Sequence, residues 1–162
     1  LHERFGHVSY ERVCSGSGIP NIYAFLKERV GLEEPAWLTR KLQSAGDPAI
    51  VIRETAQDPV LPCEICTQTL RMFVEILGAE TGNLALKMLP SGGIFLAGGL
   101  PPRMLPQLAD GAFLDAYRDK GRLGTVLMRM PVHVVLNTDI ALMGAARYGM
   151  DMSSTRKIPE DM

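Results

Sequence analysis

The sequence predicts an α/β protein that is rich in helix and contains a short parallel sheet. Apolar residues recur at helical spacing over Pro62–Leu89, which predicts one long central helix. Two short apolar runs, Ile94–Ala97 and Val132–Leu136, are typical of buried strands. Helical segments separate the two runs, and this order predicts parallel pairing through a right-handed crossover.

Short helices are predicted in the amino-terminal part of the chain. Ser9 precedes a short helical stretch, which the Ser-Gly-Ser-Gly turn at 15–18 interrupts. A second helix is expected from Pro20 to about Val30, where Gly31 ends it. Proline suits the first turn of a helix and glycine suits its left-handed end, so these residues place both boundaries.

Proline and aspartate mark the starts of the next helices. Pro35 opens one helix, and Asp47 is the predicted N-cap of another over Pro48–Ala56.

Gly78 and Gly82 lie inside the long central helix, where each costs about 1 kcal/mol relative to alanine. We therefore expect these glycines to allow close approach of a neighbouring element or to bend the helix.

The carboxyl-terminal third continues the alternation of helix and strand. Helical segments are predicted over 103–108 and 111–119, before the second strand. A last helix is expected over Ile140–Tyr148. Met150–Met162 mixes Ser, Lys, Asp and Pro, which predicts a frayed tail.

Composition and charge exclude several classes of function. Hydrophobic residues make up 46% and charged residues 22% of the 162 residues, which predicts a packed core rather than disorder. The 17 basic and 18 acidic residues leave a formal net charge of −1. This balance predicts neither a nucleic-acid partner nor a membrane partner. No apolar stretch has the length of a membrane span.

The start of the chain and its cysteines bear on origin and compartment. The sequence opens at Leu1 without an initiator Met or a signal peptide, so we expect a piece of a longer chain.

The three cysteines are too few for a disulfide-stapled secreted domain and indicate a cytoplasmic protein. Cys63 and Cys66 have redox or half-metal-site spacing, but no second pair of metal ligands follows. Burial as small apolar residues on one helix face is therefore favoured.

Several familiar catalytic motifs are absent from the sequence. It contains neither G-x-x-x-x-G-K-[ST] nor a G-x-G-x-x-G after a strand. No serine pairs with a histidine and a carboxylate as a hydrolytic triad, and His133 is expected to be a hydrogen-bonded sheet residue. Gly16–Gly18 precedes a helix, where its amides can face an anion, but a simple break between helices is favoured.

Two features remain as candidate ligand contacts. Gly98 and Gly99 follow the first strand, at the sheet edge where parallel sheets bind ligands. A glycine pair lets a planar ligand approach the backbone, although an ordinary turn is the favoured interpretation from these residues alone. Glu11 offers a carboxylate that can accept hydrogen bonds from sugar hydroxyls. Its alternative role is that of a first-turn glutamate serving the helix dipole, which the spacing alone favours.

Four segments carry a more specific pattern, and they lie in order along nearly the whole chain. They are Gly6–Gly18, Gly82–Leu86, Gly92–Arg103 and Asn137–Ala146. Together they resemble the G-H-V-S-x-E-R-V-x-S-G-x-G, G-N-L-A-L, G-G-[IV]-[FY]-[IL]-A-G-G-[IL]-x-P-[RK] and last strand-to-helix segments of bacterial-type glucokinases. The chain departs from that pattern at Cys14 and Ser17, where leucine and proline are common, and neither departure removes a functional group.

The resemblance implies the carboxyl-terminal lobe of a glucokinase-type actin-like ATPase fold. It places residues 1–138 in the large glucokinase domain, and it makes 139–149 a terminal helix that packs toward the absent amino-terminal domain. Residues 150–162 then form the tail. Apolar side chains of the terminal helix are consequently expected to be exposed. The family also implies a possible homodimer.

The resemblance further implies an activity and its site residues. Glucokinases transfer the γ-phosphoryl of ATP to the 6-hydroxyl of glucose in glycolysis, with Mg²⁺. Glu11 matches the family glutamate that contacts the sugar, and Gly98 and Gly99 match the glycine pair beside the adenosine. We therefore expect Glu11 to bind substrate and the glycine pair to bind nucleotide in the full enzyme.

The family's catalytic segments do not occur in the chain and would lie upstream of Leu1. They are the D-x-G-G-T-N phosphate segment, the asparagine-aspartate pair with the catalytic base, the second phosphate loop and the G-E-x-G-H sugar segment. No catalytic or metal-binding residue is therefore expected here, and the chain alone is predicted to be inactive and to bind neither glucose nor ATP tightly. The alternative is a non-catalytic sugar-kinase-like sensing or interaction module, although neither a helix-turn-helix nor a zinc-binding cluster is visible.

Overall fold

The computed structural model describes residues 1–155. Its α-helices are α1 (His2–Phe5), α2 (Ile19–Phe25), α3 (Ala36–Gln43), α4 (Pro48–Ala56), α5 (Glu64–Met88), α6 (Leu105–Ala109), α7 (Ala112–Arg118), α8 (Gly124–Leu127) and α9 (Ile140–Thr155). Short 3₁₀ turns lie at Tyr10–Arg12, Gly16–Gly18, Pro101–Met104 and Gly121–Leu123, and a π-helical turn at Leu26–Val30 continues α2. The strands are β1 (Ile94–Leu96) and β2 (Val132–Val134).

The sheet formed by the described residues consists of β1 and β2. The strands pair in parallel with Phe95 opposite His133, and the Ile94 N–H donates to the Pro131 carbonyl at 2.8 Å. The predicted helix-rich α/β class with a short parallel sheet is therefore confirmed. Because parallel strands end at the same edge, residues 98–99 lie at the carboxyl end of the sheet.

The prediction that β1 is a buried strand is wrong for one of its faces. Side chains alternate across a strand, and the central Phe95 is 63% exposed while its two neighbours are partly buried. Its ring stacks on the ring of His133, with the centroids 5.0 Å apart. His133 lies in β2 and pairs opposite Phe95 in the sheet, as expected, and its ring lies on this exposed face.

Local signals placed several helix boundaries correctly. α4 spans the predicted Pro48–Ala56, and Oδ1 of Asp47 accepts a hydrogen bond from the Ala49 N–H at 2.9 Å. Gly31 ends the π-helical turn with a φ of 80°, in the left-handed region that glycine favours. The long helix α5 begins at Glu64 and ends at Met88, within two residues of its predicted bounds.

The hydrophobic core is built around α5. One face of this helix is removed from solvent, and its most buried side chains include Ile65, Cys66, Leu70, Phe73 and Val74. α7 packs lengthwise on α5, and α2 and α4 cover other parts of its surface. The long helix is thus the centre of the fold, as its apolar periodicity predicted.

Two glycines of α5 allow α7 to approach closely. A Cβ at Gly78 would collide with the carbonyl oxygen of Phe113, and a Cβ at Gly82 with that of Tyr117. The two carbonyls lie one turn apart on α7, so both glycines serve the same helix contact. The close approach expected from glycines in a helix interior is confirmed.

A carboxylate joins the end of α2 to α3. The Glu34 side chain is 8% exposed and accepts hydrogen bonds from the Tyr23 hydroxyl at 2.7 Å, Lys27 Nζ at 2.9 Å and the Thr39 hydroxyl at 2.5 Å. Burial by itself raises the pKa of Glu34, but the three hydrogen bonds outweigh it, so the pKa lies below its ordinary value. This carboxylate is therefore held ionised in the folded state.

Replacing this carboxylate is expected to destabilise the protein in a pH-dependent way. Glu34→Gln removes the charge that three donors share, which we expect to lower the free energy of unfolding at pH 7 by about 2 kcal/mol. Since the folded-state pKa is depressed, the difference from wild type should be full above the unfolded pKa and should shrink as the pH falls through the folded pKa. Urea denaturation between pH 3 and pH 7 measures it.

The neighbouring Glu33 supplies the control for this prediction. It is exposed, so Glu33→Gln should change the free energy of unfolding by less than about 0.5 kcal/mol at any pH in that range. If the Glu34 and Glu33 variants lose equal stability, the hydrogen-bonded carboxylate is not a stabilising contact.

The two cysteines at the start of α5 are buried free thiols. Cys63 is 3% exposed and Cys66 is 0% exposed. Burial raises the pKa of the Cys66 thiol, and the neighbouring Cys63 adds to the rise. Because a thiolate is the reactive and metal-binding form, this environment disfavours both chemistries at Cys66. The expected burial of the pair as small apolar residues is confirmed.

The last helix is longer than predicted. α9 spans Ile140–Thr155, although the sequence predicts its end at Tyr148 and a frayed tail from residue 150. An ion pair between Arg147 and Asp151, one turn apart at 3.5 Å, crosses the predicted end and supports the continuation. The rest of the predicted tail, 156–162, lies outside the described residues.

Apolar side chains of α9 are exposed, as expected. Leu142 is 73% exposed, Met143 is 55% exposed and Ile140 is 38% exposed, and Ala146 also lies at the surface. An amphipathic helix ordinarily buries such side chains against a neighbour. Packing of this helix against an amino-terminal domain stays a prediction.

Two further properties concern residues 1–155 alone. None of their helices is both long enough and apolar enough to cross a membrane. Nor do three or more His, Cys, Asp or Glu side chains in this part of the chain come together in a way that could hold a metal ion. The cytoplasmic location stays a prediction.

Candidate functional site

Glu11 lies at the surface, in the 3₁₀ turn Tyr10–Arg12. It lines an open cavity of about 390 Å³ together with Ser9, Arg12, Ser17 and Asn21. Its carboxylate has no hydrogen-bond partner among the described residues. A carboxylate that caps nothing and faces a polar cavity is free to accept hydrogen bonds from a ligand.

Serine and glycine hold the backbone of Glu11 in place. The Ser15 hydroxyl donates to the Glu11 carbonyl at 2.7 Å and accepts from the Gly18 N–H at 3.2 Å. A Cβ at Gly18 would collide with the backbone that follows the first turn, so only glycine lets the two turns pack together. Asn21 Nδ2 donates to the Arg12 carbonyl at 2.9 Å and ties α2 to the same turn. The sequence Ser-Gly-Ser-Gly thus fixes the turn that carries the carboxylate.

The glycine pair after β1 lies beside a second cavity. Gly98 adopts a φ of 113°, which glycine tolerates and other residues rarely do, and no atom lies within 4 Å of a Cβ built on it. Gly99 lines a cavity of about 400 Å³, a size typical of small-ligand sites. The other residues of its wall are Gly16, Ser17, Ile19, Asp47, Ala49, Ile50, Arg53, Leu100 and Arg103.

The two cavities share one residue, Ser17. Its hydroxyl lies 2.9 Å from that of Ser15, in the turn that also holds the Glu11 backbone. The structure therefore makes the Glu11 cavity and the Gly99 cavity neighbours, although no single cavity contains both residues. Gly98 stands beside the second cavity without lining it.

Sequence reasoning missed several residues of the second cavity. Asp47 was predicted only as an N-cap, and its Oδ1 does serve that role while the residue also lines the cavity. Arg53 carries no local signal, because an arginine inside a helix ordinarily faces solvent. Arg103 closes the glycine-rich segment after β1 and was not singled out. The turn Gly16–Gly18, a possible anion contact by its sequence, contributes Ser17 to both cavities.

These features define an α/β lobe with two adjoining cavities, one of which is lined by Gly99 after the first strand of a parallel sheet. The family model for glucokinase matches residues 1–152, so the chain belongs to the glucokinase family. Among curated relatives, the glucokinase of Trichormus variabilis is 42% identical over 149 residues, and that of Helicobacter pylori is 39% identical over 142 residues. A crystal structure of glucokinase from an Antarctic psychrotroph matches with a TM-score of 0.73 and 32% identity.

The matches cover most of this chain but less than half of each relative. They span 86% of the chain and 43% of the Trichormus variabilis glucokinase, and 88% of the chain and 40% of the Helicobacter pylori glucokinase. The match to the crystal structure spans 90% of this chain and 41% of the chain in that structure. The matched part of the chain thus spans about two fifths of the length of these glucokinases.

Proposed function

We propose that this chain is the carboxyl-terminal lobe of a glucokinase, which with its remaining parts transfers the γ-phosphoryl of ATP to the 6-hydroxyl of glucose. The observation that carries the proposal is the shared wall at Ser17, which makes the Glu11 cavity and the Gly99 cavity neighbours. Phosphoryl transfer requires donor and acceptor to be held side by side in fixed geometry. Two adjoining cavities, one polar and one sized for a small ligand, suit that requirement.

Each cavity has a distinct role in the proposal. The unpartnered carboxylate of Glu11 accepts hydrogen bonds from glucose hydroxyls, and the cavity beside Gly99 receives the adenosine part of ATP. Mg²⁺ bound to the phosphates would neutralise charge in the reaction, held by one or two carboxylates together with phosphate oxygens and water. We assign the phosphate contacts and the catalytic base to the remaining parts of the enzyme, because the glucokinase segments that carry them do not occur in this sequence.

The isolated 162-residue chain is expected to show no glucokinase activity. Positioning and charge stabilisation account for nearly all of phosphoryl-transfer catalysis, and the chain supplies only one sugar contact and one side of the nucleotide site. A coupled assay of glucose 6-phosphate formation measures the rate. Turnover by the purified chain that depends on both ATP and glucose would contradict this prediction.

A chimera tests the proposed function itself. The amino-terminal part of the Trichormus variabilis glucokinase, up to the matched segment, is joined to Leu1 of this chain. We expect the chimera to phosphorylate glucose with ATP, whereas each part alone is inactive. The unmodified relative serves as the positive control, and circular dichroism with size-exclusion chromatography checks that the chimera is folded.

The chimera also separates the two candidate functions. A folded chimera without turnover would refute the proposal that this lobe retains its catalytic contacts. If that chimera still bound glucose, the result would support the alternative of a non-catalytic sugar-sensing module.

A further inference from the structure

The cavity beside Gly99 contains a buried guanidinium with few partners. The side chain of Arg53 is only 10% exposed, yet it makes a single hydrogen bond among the described residues, from Nη2 to Oε1 of Glu54 at 3.1 Å. Glu54 is itself 58% exposed, so this pair lies at the rim. A guanidinium has five N–H donors, and burial of a cation is costly unless those groups find partners. Arg53 lines the cavity, where a bound ligand can partner its remaining N–H groups.

A second arginine lines the same cavity from the segment that follows β1. Arg103 belongs to the turn Pro101–Met104, directly after the glycine pair. Gln57, which ends α4, donates from Nε2 to the Arg103 carbonyl at 2.9 Å and to Oε1 of Gln107 at 2.8 Å. Since Arg53 lies one turn earlier on α4, this amide holds the two arginine-bearing segments in a fixed relation.

The remaining wall favours a planar, uncharged group over a phosphate. Ile19, Ile50 and Leu100 give the cavity an apolar surface. Asp47 lies at the amino terminus of α4, where its carboxylate already accepts the Ala49 N–H and would repel a second anion. Guanidinium planes stack on aromatic rings, and a lysine at the same place would not.

We propose that Arg53 and Arg103 bind the nucleotide base by stacking their guanidinium planes on it, as two sides of one clamp. This inference rests on the proposed function, in which the cavity beside Gly99 receives adenosine. It adds two specificity-determining residues that select a planar aromatic base. The Gln57 amide acts as a positioning group, because it holds the segment of Arg103 against α4.

The test is a titration of the full 162-residue chain with adenosine, which carries the base without a phosphate. Heteronuclear NMR spectra report the dissociation constant and confirm that each variant is folded. We expect Arg103→Met and Arg53→Met each to weaken adenosine binding about tenfold. Arg103→Lys and Arg53→Lys should weaken it by a similar factor, because an ammonium keeps the charge and loses the plane. Arg40→Met, at an exposed position of α3 outside both cavities, should have no effect.

Each outcome decides the inference. Ribose 5-phosphate serves as a probe of phosphate contacts. The stacking clamp would be overturned if the lysine variants bound adenosine as tightly as wild type and the methionine variants lost ribose 5-phosphate binding. If wild type binds adenosine and Arg103→Met binds it equally well, the clamp is refuted while the nucleotide cavity stands. If wild type does not bind adenosine at all, both assignments of this cavity fail, whereas the chimera still tests the lobe's contribution to catalysis. Arg103 is exposed, so its variants remain informative even if Arg53→Met unfolds.

Discussion

Replacing Gly78 by alanine is expected to lower the free energy of unfolding by about 2–4 kcal/mol. In an isolated helix the same change stabilises by about 1 kcal/mol, because alanine is the better helix former. Here the added methyl group would collide with the carbonyl oxygen of Phe113 and would stand 3.1 Å from its carbonyl carbon. These are backbone atoms of α7 and cannot rotate away, so the two core helices would have to separate.

The neighbouring glycine should behave in the same way. A methyl group at Gly82 meets the carbonyl oxygen of Tyr117 and lies 2.8 Å from Cε of Lys120. The lysine side chain can move, but the carbonyl cannot. Gly82→Ala is therefore expected to cost about 2–3 kcal/mol, and urea denaturation followed by circular dichroism measures both variants.

A glycine of α9 provides a matched control for the helix propensity. No atom outside its own surroundings lies within 4 Å of a Cβ built at Gly144. Gly144→Ala should therefore be neutral or stabilise by up to about 1 kcal/mol. A Gly78→Ala variant that is as stable as Gly144→Ala would show that α7 does not pack on α5 as closely as the structure indicates.

Loss of the Glu11 carboxylate should have the largest effect on activity. In the chimera, Glu11→Gln is expected to lower kcat/KM for glucose about 100-fold, because charge-assisted hydrogen bonds are worth about 1.5–3 kcal/mol each. The KM for ATP should stay within about twofold, because Glu11 lines the polar cavity and not the cavity beside Gly99. Steady-state kinetics with each substrate varied in turn gives both constants.

Stability separates a binding role of Glu11 from a structural one. Its carboxylate is exposed and has no partner among the described residues, so Glu11→Gln should leave the free energy of unfolding unchanged within about 0.5 kcal/mol. Glu33→Gln, an exposed carboxylate outside both cavities, should preserve all kinetic constants. Equal kinetic losses in the two variants, or unchanged glucose kinetics in Glu11→Gln, would remove Glu11 from the sugar site.

Local structure and the candidate residues can be predicted from the sequence alone. The Asp47 cap, the Gly31 terminator and the apolar periodicity of α5 act over a few residues, so each is visible without the fold. The parallel pairing of two apolar strands followed from their order along the chain. Glu11 and residues 98–99 are predicted from motifs that resemble those of glucokinases, and the glucokinase family model matches residues 1–152.

Which distant residues share a surface depends on how the helices and turns pack together. Arg53 and Arg103 line one cavity because Gln57 joins their segments, and no local pattern connects residues that lie so far apart in sequence. The shared wall at Ser17 likewise arises where separate turns meet. The exposure of Phe95 depended on which face of β1 finds a partner, whereas an apolar run predicts burial of both faces. Local signals set the backbone conformation, whereas long-range packing brings distant residues together. The candidate site is formed by such distant residues, so it depends on the packing.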